Sequence, residues 1–383
     1  MALDTADVVV IGAGIVGAAT AFFLSQHSGL RIMVLERDRP AFGASGRSGG
    51  GVRQQRRSLP EIPLVQESVR LWQYFRDIEK APFEYVEKGN LQVAMTPADV
   101  EVLKQQMLMD RQAGLPVEFL NVEDVRQIEP LTNPAIYGAT YCPTDGDANP
   151  ILATRYFIRR AQENGVAVYG NTEVLQIVVG SGRVRGVKTA QGLIETASVV
   201  AAVGPWTHHL FKTIGVNVPI IPRRTQALIT VPVPPTVRTF VGGNTVYVRQ
   251  TAAGTLLWGG GGDWEQVGYD TASSEKFFHR VAHRGLQVMP SLGDIPVVRA
   301  WSGIADMTPD HTAILGRVRP WSGLYLACGF NGHGFATSLG VGRVMADLVT
   351  DTSNAIPIEG LSLERFPPDF DYRVQYHAIP EPV

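Results

Sequence analysis

Three glycines near the start of the chain, Gly12, Gly14 and Gly17, have the spacing G-x-G-x-x-G. Glu36 follows them about twenty residues later. In a nucleotide site Gly12 permits a tight turn, Gly14 lets the backbone approach a pyrophosphate, and Gly17 lets a helix pack closely on a strand. Glu36 can accept a hydrogen bond from a ribose hydroxyl, and its charge disfavours a 2′-phosphate. The pattern predicts a bound dinucleotide that is not of the NADP type.

The elements around these residues are those that a dinucleotide site requires. Asp7–Ile11 is typical of a buried parallel strand, Ala18–Gln26 continues at helical spacing, and Arg31–Leu35 is a second strand that ends at the acid. Free N–H groups at the start of the helix, where Ile15 and Val16 lie, would face the anion. A strand, turn and helix without a ligand is the alternative, and it leaves the acid without a role.

A loop rich in glycine and serine follows, from Arg37 to Arg57, and it ends in a basic cluster. Such a loop can wrap a pyrophosphate or a flavin, because glycine lets the backbone come close. The alternative is a flexible surface loop with a solvated basic end, which the position directly after the glycine motif disfavours. The residues of this loop predicted to contact a cofactor are Arg37, Ala44, Ser45, Ser48, Gly49, Gly50 and Gly51.

The composition is that of an ordinary globular protein. The 383 residues, 45% of them hydrophobic and 18% charged, predict two or three domains. A net charge of −2 gives no electrostatic reason to expect nucleic acid as a partner. Cys142 and Cys328 stand far apart and in no metal-ligand spacing, so we expect no metal site and a reducing, cytoplasmic setting. Glycines interrupt the apolar stretch Val8–Leu24, so we expect neither a secretion signal nor a transmembrane segment.

Helices and strands alternate over much of the chain, and the pattern becomes rich in strands from Val218 to Arg299. That stretch predicts a second domain built on an antiparallel sheet. The predicted strands are Leu91–Met95, Tyr137–Cys142, Val166–Tyr169, Glu173–Val179, Val184–Thr189, Ala197–Val203, Gln226–Val231, Thr245–Gln250, Thr255–Gly259 and Leu324–Cys328. The predicted helices are Ile62–Lys80, Asp99–Gly114 (with Thr96 as its cap and Pro97 at its first position), Asn121–Ile128, Ile151–Gly165, Ser273–Met289 and Ala336–Thr350.

Five segments in this order resemble the flavin-dependent amine and D-amino-acid oxidoreductase family. This family includes glycine oxidase, sarcosine oxidase and the β subunits of proline, opine and cyanide-forming glycine dehydrogenases. The segments are VVVIGAGIVGAATAFFL, LERD with GASGRSGGGVR, AAVGPW, WSGIADMTPD and CGFNGHGF. The resemblance covers nearly the whole chain and implies an α/β fold, with a Rossmann-type FAD-binding domain and a second α+β substrate domain. The predicted boundaries are 1–85, 143–217 and 300–383 for the FAD-binding domain, and 86–142 and 218–299 for the substrate domain.

The resemblance also implies where FAD would be held. Val174 would place its backbone against the adenine, and Gly303 stands where monomeric sarcosine oxidase attaches flavin through a cysteine, so we expect noncovalent FAD. Backbone N–H groups at the start of the helix near Ala336 would stabilise negative charge on reduced flavin. His333 is interpreted either as part of that loop through its main chain or as a structural residue. The remaining predicted cofactor contacts are Gly204, Trp206, Gly329, Asn331, Gly332, Gly334 and Phe335.

The family's chemistry is transfer of a hydride equivalent from a carbon next to nitrogen onto flavin N5, which gives an imine that hydrolyses. A substrate carboxylate then needs a cation, ideally an arginine. By resemblance Arg53 lies against the flavin, Arg56 grips the carboxylate, and Tyr247 is an active-site tyrosine. Arg249 and Arg224 are further candidates. For Arg56 the alternative is a charged surface segment.

The chain departs from the family pattern at several positions. Ala336 stands where sarcosine oxidase has a second carboxylate-binding lysine, and Ala305 lies near the carboxylate arginine of glycine oxidase. Leu257 replaces the lysine that helps flavin react with oxygen, which favours a dehydrogenase that passes electrons to a partner subunit, a quinone or a dye. Asp306 could meet a cationic amine, but a buried, hydrogen-bonded aspartate is the interpretation we favour.

Two function classes follow, and others stay open. The chain is expected to be an FAD enzyme that oxidises a small amino acid or secondary amine (glycine, sarcosine, proline or opine-like), or the β subunit of a heteromeric dehydrogenase. A flavoprotein without catalytic activity and an NAD-dependent dehydrogenase are the remaining alternatives. The sequence leaves the exact substrate, the electron acceptor and any oligomeric state undecided.

Overall fold

The computed structural model describes residues 5–260 and 267–370. In chain order the strands are β1 Val8–Ile11, β2 Ile32–Leu35, β3 Gly51–Val52, β4 Val86–Glu87, β5 Asn90–Val93, β6 Glu118–Leu120, β7 Ala139–Cys142, β8 Gly146–Asp147, β9 Ala167–Tyr169, β10 Val174–Gly180, β11 Arg183–Thr189, β12 Gly192–Glu195, β13 Ser198–Ala201, β14 Ile221–Pro232, β15 Phe240–Gly243, β16 Val246–Gln250, β17 Thr255–Gly260, β18 Val297–Met307, β19 Ile314–Arg317 and β20 Leu324–Cys328. The α-helices are α1 Ile15–Leu24, α2 Ile62–Asp77, α3 Pro97–Gln112, α4 Val122–Ile128, α5 Pro150–Glu163, α6 Thr207–Lys212, α7 Glu275–Val288 and α8 Gly334–Val349.

The first large sheet has six strands in the order β19-β20-β13-β1-β2-β9. All its pairs are parallel except β19 with β20. Its two N-terminal strands are continuous apolar runs, VVVI and IMVL, and every residue in them is buried, as expected for a parallel sheet covered on both faces. The register pairs Ile11 with Leu35, so the ends of β1 and β2 bring Gly12 and Glu36 to one edge of the sheet.

Helix α1 packs between α5 and α8. All ten of its residues are buried, which explains why its sequence has no polar face. Its approach to α8 is close, because a Cβ on Gly342 would lie 2.6 Å from the Cβ of Ala19. Helix α2 packs on α8 from the other side, with Trp72 in contact with Phe335 (ring centroids 5.0 Å apart). The start of α8 is therefore fixed by packing.

The second large sheet has eight strands in the order β18-β14-β17-β16-β15-β5-β7-β6. Its pairs are antiparallel except β15 with β5, which run parallel although they are far apart in sequence. Helix α7 packs against β14, β16 and β17, with Val281 and Val288 in the apolar core beneath that face of the sheet. The opposite face is left to line a cavity.

The predicted fold class is confirmed. Two expectations change in detail. The last helix begins at Gly334 rather than near Ala336, so Gly334 and Phe335 are its first residues. The first half of the segment from Arg299, treated as a motif without an assigned element, belongs to β18, a strand whose alternation is interrupted by glycine and aspartate within an apolar run.

The domain division stays a prediction. The two large sheets are separate, and β13 belongs to the first of them, as expected for a return of the chain to the nucleotide-binding part. The predicted boundary at 299/300 falls inside β18, a strand of the second sheet. Residues 1 and 383, the predicted ends, lie outside the described residues.

Within residues 5–260 and 267–370, no helix is both long and apolar enough to span a membrane. The same residues contain no cluster of His, Cys, Asp and Glu that could hold a metal ion. Cys142 and Cys328 are both buried and unpaired.

Candidate functional site

A cavity of about 1640 Å³ lies between the edge of the first sheet and the exposed face of the second. Pockets for small ligands usually have roughly 300–1,000 Å³, so this cavity can take a larger molecule. The predicted residues that line it are Gly12, Gly14, Ile15, Val16, Glu36, Arg37, Ala44, Ser45, Ser48, Gly49, Gly50, Gly51, Arg53, Arg56, Val174, Gly204, Trp206, Tyr247, Gly303, Asn331, Gly332, His333, Gly334 and Phe335. Gly17, Gly329 and Arg249 lie behind this surface.

The glycine motif is as closely packed as its proposed task demands. A Cβ on Gly12 would lie 2.5 Å from the carbonyl oxygen of Ala202, and one on Gly17 would lie 2.0 Å from the carbonyl oxygen of Gly12. Gly12 also has a φ of +99°, which side chains disfavour. Helix α1 has no side-chain cap and no acid in its first turn. Its positive end lies at the cavity, where the Oγ of Ser45 accepts from the N–H of Ile15 and the carboxylate of Glu36 accepts from the N–H of Ala13.

Glu36 is held by the main chain at the edge of the cavity. Its two carboxylate oxygens accept hydrogen bonds from the backbone N–H groups of Ala13 (2.8 Å) and Asp38 (2.9 Å). Beside it, the guanidinium of Arg37 stacks on the indole of Trp206 at 4.4 Å. A fixed acceptor next to a flat cationic surface suits a ribose and its base.

The glycine and serine loop closes over the motif. Ser45 accepts a hydrogen bond at Oγ from the N–H of Ile15 (2.9 Å), so the loop is tied to the start of α1. A Cβ on Gly50 would lie 2.2 Å from the carbonyl oxygen of Ala148. These contacts show that the loop is packed, which argues against a flexible surface segment.

The loop before α8 is organised by Asp306. Its carboxylate accepts a hydrogen bond from the N–H of Gly329 (2.7 Å), and burial raises the pKa of Asp306 to about 6. Asn331 accepts from the N–H of Thr308 (2.8 Å) and donates to the carbonyl oxygen of Gly329 (2.6 Å). Gly329 thus shapes the loop from behind. This agrees with Asp306 as a buried, hydrogen-bonded residue, although it also touches the cavity.

Helix α8 also begins at the cavity without a side-chain cap or an early acid. His333 precedes it, and its two ring nitrogens are buried without a hydrogen-bond partner among the described residues. Burial, together with the nearby charge of Arg57 and Arg53, lowers the pKa of His333 well below its usual value. The imidazole is therefore neutral, and the N–H groups of the helix start supply the positive potential here.

Three arginines meet at the far end of the cavity. Arg56 donates from Nη1 to Oε1 of Gln92 (3.0 Å), and its other guanidinium donors have no partner among the described residues. Arg53 likewise forms no side-chain hydrogen bond within the described ranges. Burial lowers the pKa of Arg53 well below its usual value, and the charges of Arg57 and Arg56 add to this. Free guanidinium donors in a partly desolvated site favour an anion.

Tyr247 projects from β16 into the cavity between two glycines. A Cβ on Gly49 would lie 2.4 Å from its ring, and a Cβ on Gly259 would lie 2.1 Å from its hydroxyl oxygen. Phe240 stacks beside it, with ring centroids 5.5 Å apart. Burial raises the pKa of Tyr247 to about 12. The phenol is therefore protonated at neutral pH and can donate a hydrogen bond to a ligand.

Arg249 and Arg224, the weaker catalytic candidates, do not line the cavity. Arg249 is buried behind the glycine loop, where it pairs with Asp147 (2.7 Å) and donates to the carbonyl oxygen of Gly49 (2.5 Å). Arg224 pairs with Asp270 (2.7 Å). Arg249 thus contacts the glycine loop from behind, and the catalytic role predicted for it stays a prediction that these contacts do not support.

Sequence reasoning missed several residues of this site. Gln92 fixes the guanidinium of Arg56, and Arg57 holds the arginine loop by donating to the carbonyl oxygens of Arg53 (2.8 Å) and Arg56 (3.3 Å). The repeated arginines of RQQRR were the available signal for Arg57. Gln92 had no such signal, because a glutamine in a strand is usually exposed.

These residues fit FAD. Both Glu36 and Arg56 line the cavity, the starts of α1 and α8 lie at it, and it is bordered by glycines whose Cβ atoms would collide with neighbouring protein atoms. The residues that would hold the cofactor are those of the glycine motif, the loop at Ala44–Gly51 and the start of α8. A Cβ on Gly303 would lie 3.1 Å from Arg47, and no thiol stands there.

Comparisons with known proteins agree with this geometry. Residues 7–348 match the DAO family, described as FAD dependent oxidoreductase. The chain is 29% identical to sarcosine oxidase subunit beta of Arthrobacter sp, over 94% of this chain and 91% of that protein. It is 28% identical to glycine oxidase of Geobacillus kaustophilus, over 94% and 97%. The crystal structure of L-proline dehydrogenase from P. horikoshii is 30% identical with a TM-score of 0.88, covering 94% of this chain and 98% of that chain.

Proposed function

Because the chain belongs to the FAD-dependent oxidoreductase family, we propose that it oxidises the C–N bond of a small amino acid or N-substituted amino acid to an imine. As a member of this family it is an oxidoreductase that uses FAD. The alternatives of an NAD-dependent dehydrogenase and of a flavoprotein without activity are therefore set aside. Relatives named glycine oxidase and sarcosine oxidase subunit beta support an amino acid as the substrate class.

The observation that carries the proposal is the guanidinium of Arg56, which keeps donors without a partner among the described residues and lies in the same cavity as the predicted cofactor-binding residues. Gln92 fixes one side of this guanidinium, which leaves donors for a bidentate bond to a carboxylate. Arg53 adds a second cation nearby. An amino acid held by its carboxylate would present its nitrogen and α-carbon towards the rest of the cavity.

The remaining residues orient the substrate and exclude water. When bound, FAD supplies the acceptor for the hydride equivalent that leaves the carbon next to nitrogen. Tyr247, protonated and without a hydroxyl partner among the described residues, is proposed to donate a hydrogen bond to the substrate. The uncapped start of α8 is proposed to stabilise the negative charge that reduction places in this region.

Anaerobic flavin reduction tests the proposal directly. The purified FAD-loaded protein is mixed without oxygen with glycine, sarcosine, proline, D-amino acids and opines, and its visible spectrum is followed. We expect at least one of these amines to bleach the oxidised spectrum. If every one leaves the spectrum unchanged while dithionite bleaches it, the proposed substrate class is wrong.

A heteromeric dehydrogenase is the second candidate. The full-length relatives named subunit beta favour it, and no lysine stands among the described residues that line the cavity. Leu257, at the predicted position of the oxygen-activating lysine, is buried outside that lining. We expect the reduced protein to reoxidise slowly in air and quickly with a quinone or dye. Full turnover of the lone chain with oxygen would count against this candidate.

The proposed partners are thus a small amino-acid substrate together with a second subunit or a quinone. We keep the cytoplasm as the proposed location, on the ground of the two unpaired cysteines alone.

A further inference from the structure

The wall of the cavity next to Arg56 is apolar, although it is open to solvent. Leu59, Val102 and Met109 line the cavity, and they are 55%, 60% and 38% exposed. Large apolar side chains in a concave site mark a place where an apolar group binds. These three residues form the apolar wall. Binding of a carboxylate at Arg56, as proposed above, does not require them.

Helix α3 brings two of these residues to the arginine loop. Gln106 donates to the carbonyl oxygen of Arg57 (3.3 Å), and Asp110 accepts from the N–H of Arg56 (3.1 Å). These bonds turn one face of α3 towards the loop. Val102 and Met109 lie four residues before and three residues after Gln106, which places both on that same face.

Leu59 reaches the wall from the other side. It lies three residues after Arg56, in the short helical turn Leu59–Glu61. The apolar wall therefore begins three residues along the chain from Arg56, whose guanidinium is proposed to hold the substrate. A ligand bound through its carboxylate at Arg56 would have its apolar portion within reach of Leu59 and α3.

Leu59, Val102 and Met109 themselves have no charged or hydrogen-bonding side-chain group for a polar substituent. Asp99 is the acid of α3 that touches the cavity, and one of its carboxylate oxygens, Oδ2, accepts hydrogen bonds from the N–H groups of Met95 (3.0 Å) and Thr96 (2.9 Å). It serves as part of the cap of α3. A glycine or sarcosine molecule at Arg56 would leave the apolar wall in water.

We propose that the substrate is an amino acid with an apolar substituent of several carbons, on its nitrogen or its α-carbon, which packs against Leu59, Val102 and Met109. This inference rests on the proposed function, since it takes Arg56 as the carboxylate site. On this proposal the apolar wall determines which length of apolar substituent the enzyme prefers. Burial of each further methylene against such a wall is expected to tighten binding about threefold, somewhat less than for full burial.

Straight-chain carboxylates measure this preference without turnover. Acetate, butanoate and hexanoate are titrated into the FAD-loaded protein, and binding is followed by calorimetry and by the flavin spectrum. We expect the dissociation constant to fall about threefold per methylene in the natural protein. In a V102T/M109Q variant, which nearly keeps the shapes, the gain should drop below about twofold per methylene.

Leu108→Gln is the matched control. Leu108 lies on α3 with 55% exposure but does not line the cavity, so L108Q should keep the full chain-length dependence. If L108Q and V102T/M109Q lose it equally, the effect comes from α3 as a whole and the proposal is overturned. Thermal unfolding of each variant shows whether the helix is intact.

Two further outcomes distinguish a failure of the apolar wall from a failure of the proposed carboxylate site. If acetate and hexanoate bind equally well and Arg56→Ala abolishes both, the carboxylate site stands and the apolar wall is wrong as a determinant. If neither carboxylate binds to the natural protein, the carboxylate site fails and takes this inference with it. Finally, N-butylglycine and the two enantiomers of leucine are compared in anaerobic reduction. A preference for one of them supports the proposal and shows where the substituent is attached, while faster reduction by glycine or sarcosine contradicts it.

Discussion

Replacing Gly49 with alanine tests how the cofactor loop and the second sheet fit together. The new methyl would lie 2.4 Å from Cζ and Oη of Tyr247 and 2.5 Å from Cε2, about 1 Å inside ordinary contact. The ring lies between Gly49 and Gly259, so a shift away from the new methyl moves it towards the backbone of Gly259. Either the loop or the tyrosine must therefore shift.

Forcing a methyl group into a packed site costs about 1–3 kcal/mol. We expect G49A to lower the free energy of unfolding of the apoprotein by about 2 kcal/mol. Displacement of the loop should also weaken FAD binding by about tenfold, which corresponds to about 1.4 kcal/mol. Urea denaturation followed by tryptophan fluorescence measures the first quantity, and titration with FAD by flavin fluorescence measures the second.

Two controls make the result specific. Gly43 lies in the same loop with nothing within 4 Å of its would-be Cβ, so G43A should change the free energy of unfolding by less than about 0.5 kcal/mol. Removing the ring with Y247A should relieve the collision, so G49A should then cost little. Equal effects of G49A and G43A, or an undiminished effect of G49A in the Y247A background, would refute the described packing.

Three further changes have expected outcomes. R56A should lower kcat/KM for a carboxylate substrate by about 100-fold, with R56K recovering part of it, because a charged hydrogen bond is lost; anaerobic stopped-flow reduction measures this. Burial raises the pKa of Asp306 to about 6, so the folded state holds its proton more tightly and this residue makes the protein less stable as pH rises from about 4 to 6. D306N should remove about 3 kcal/mol of that decline, measured by urea denaturation at each pH. R249M removes one of the two cations that pair with Asp147 and leaves the other, Lys88 (2.7 Å), so it should cost about 2 kcal/mol of unfolding free energy, whereas R31M, at an exposed pair, should cost less than about 1 kcal/mol.

Each of these has a contrary result. A kcat/KM in R56A equal to that of the natural protein would contradict the assignment of Arg56 as the residue that binds the substrate carboxylate. The same pH profile in D306N as in the natural protein would show that folding does not shift the pKa of Asp306. An R249M variant as stable as R31M would mean that the ion pair behind the cofactor loop contributes nothing.

The N-terminal nucleotide-binding elements were predictable because their signals are local. The strand at Val8–Ile11, the glycines after it and the helix that follows form one continuous pattern, and the structure reproduces it within a few residues. The cap of α3 at Thr96 was also predicted, since the side chain and the N–H group that it accepts from are three residues apart. Local hydrogen bonding and period are what a sequence displays most directly.

The features that the sequence did not reveal are set by distant contacts. Strand Phe240–Gly243 pairs in parallel with Asn90–Val93, and no local pattern announces such a partner. Arg249 has the alternation of a cavity residue, yet Asp147 holds it behind the loop. The role of Gln92 depends on the position of Arg56, which itself adopts a φ of +61°. These outcomes follow from tertiary packing, which single-sequence patterns do not encode.

The place of Ser198–Ala201 between Val8–Ile11 and Leu324–Cys328 in the first sheet matters for how the protein is made. A ribosome delivers the first two of these strands long before the third. Throughout that interval the nascent chain carries an unpaired parallel edge and an α1 helix whose α8 side is uncovered. Such surfaces recruit other chains. We therefore expect messages truncated before Leu324 to yield insoluble or chaperone-bound products, even though the whole glycine motif has been synthesised.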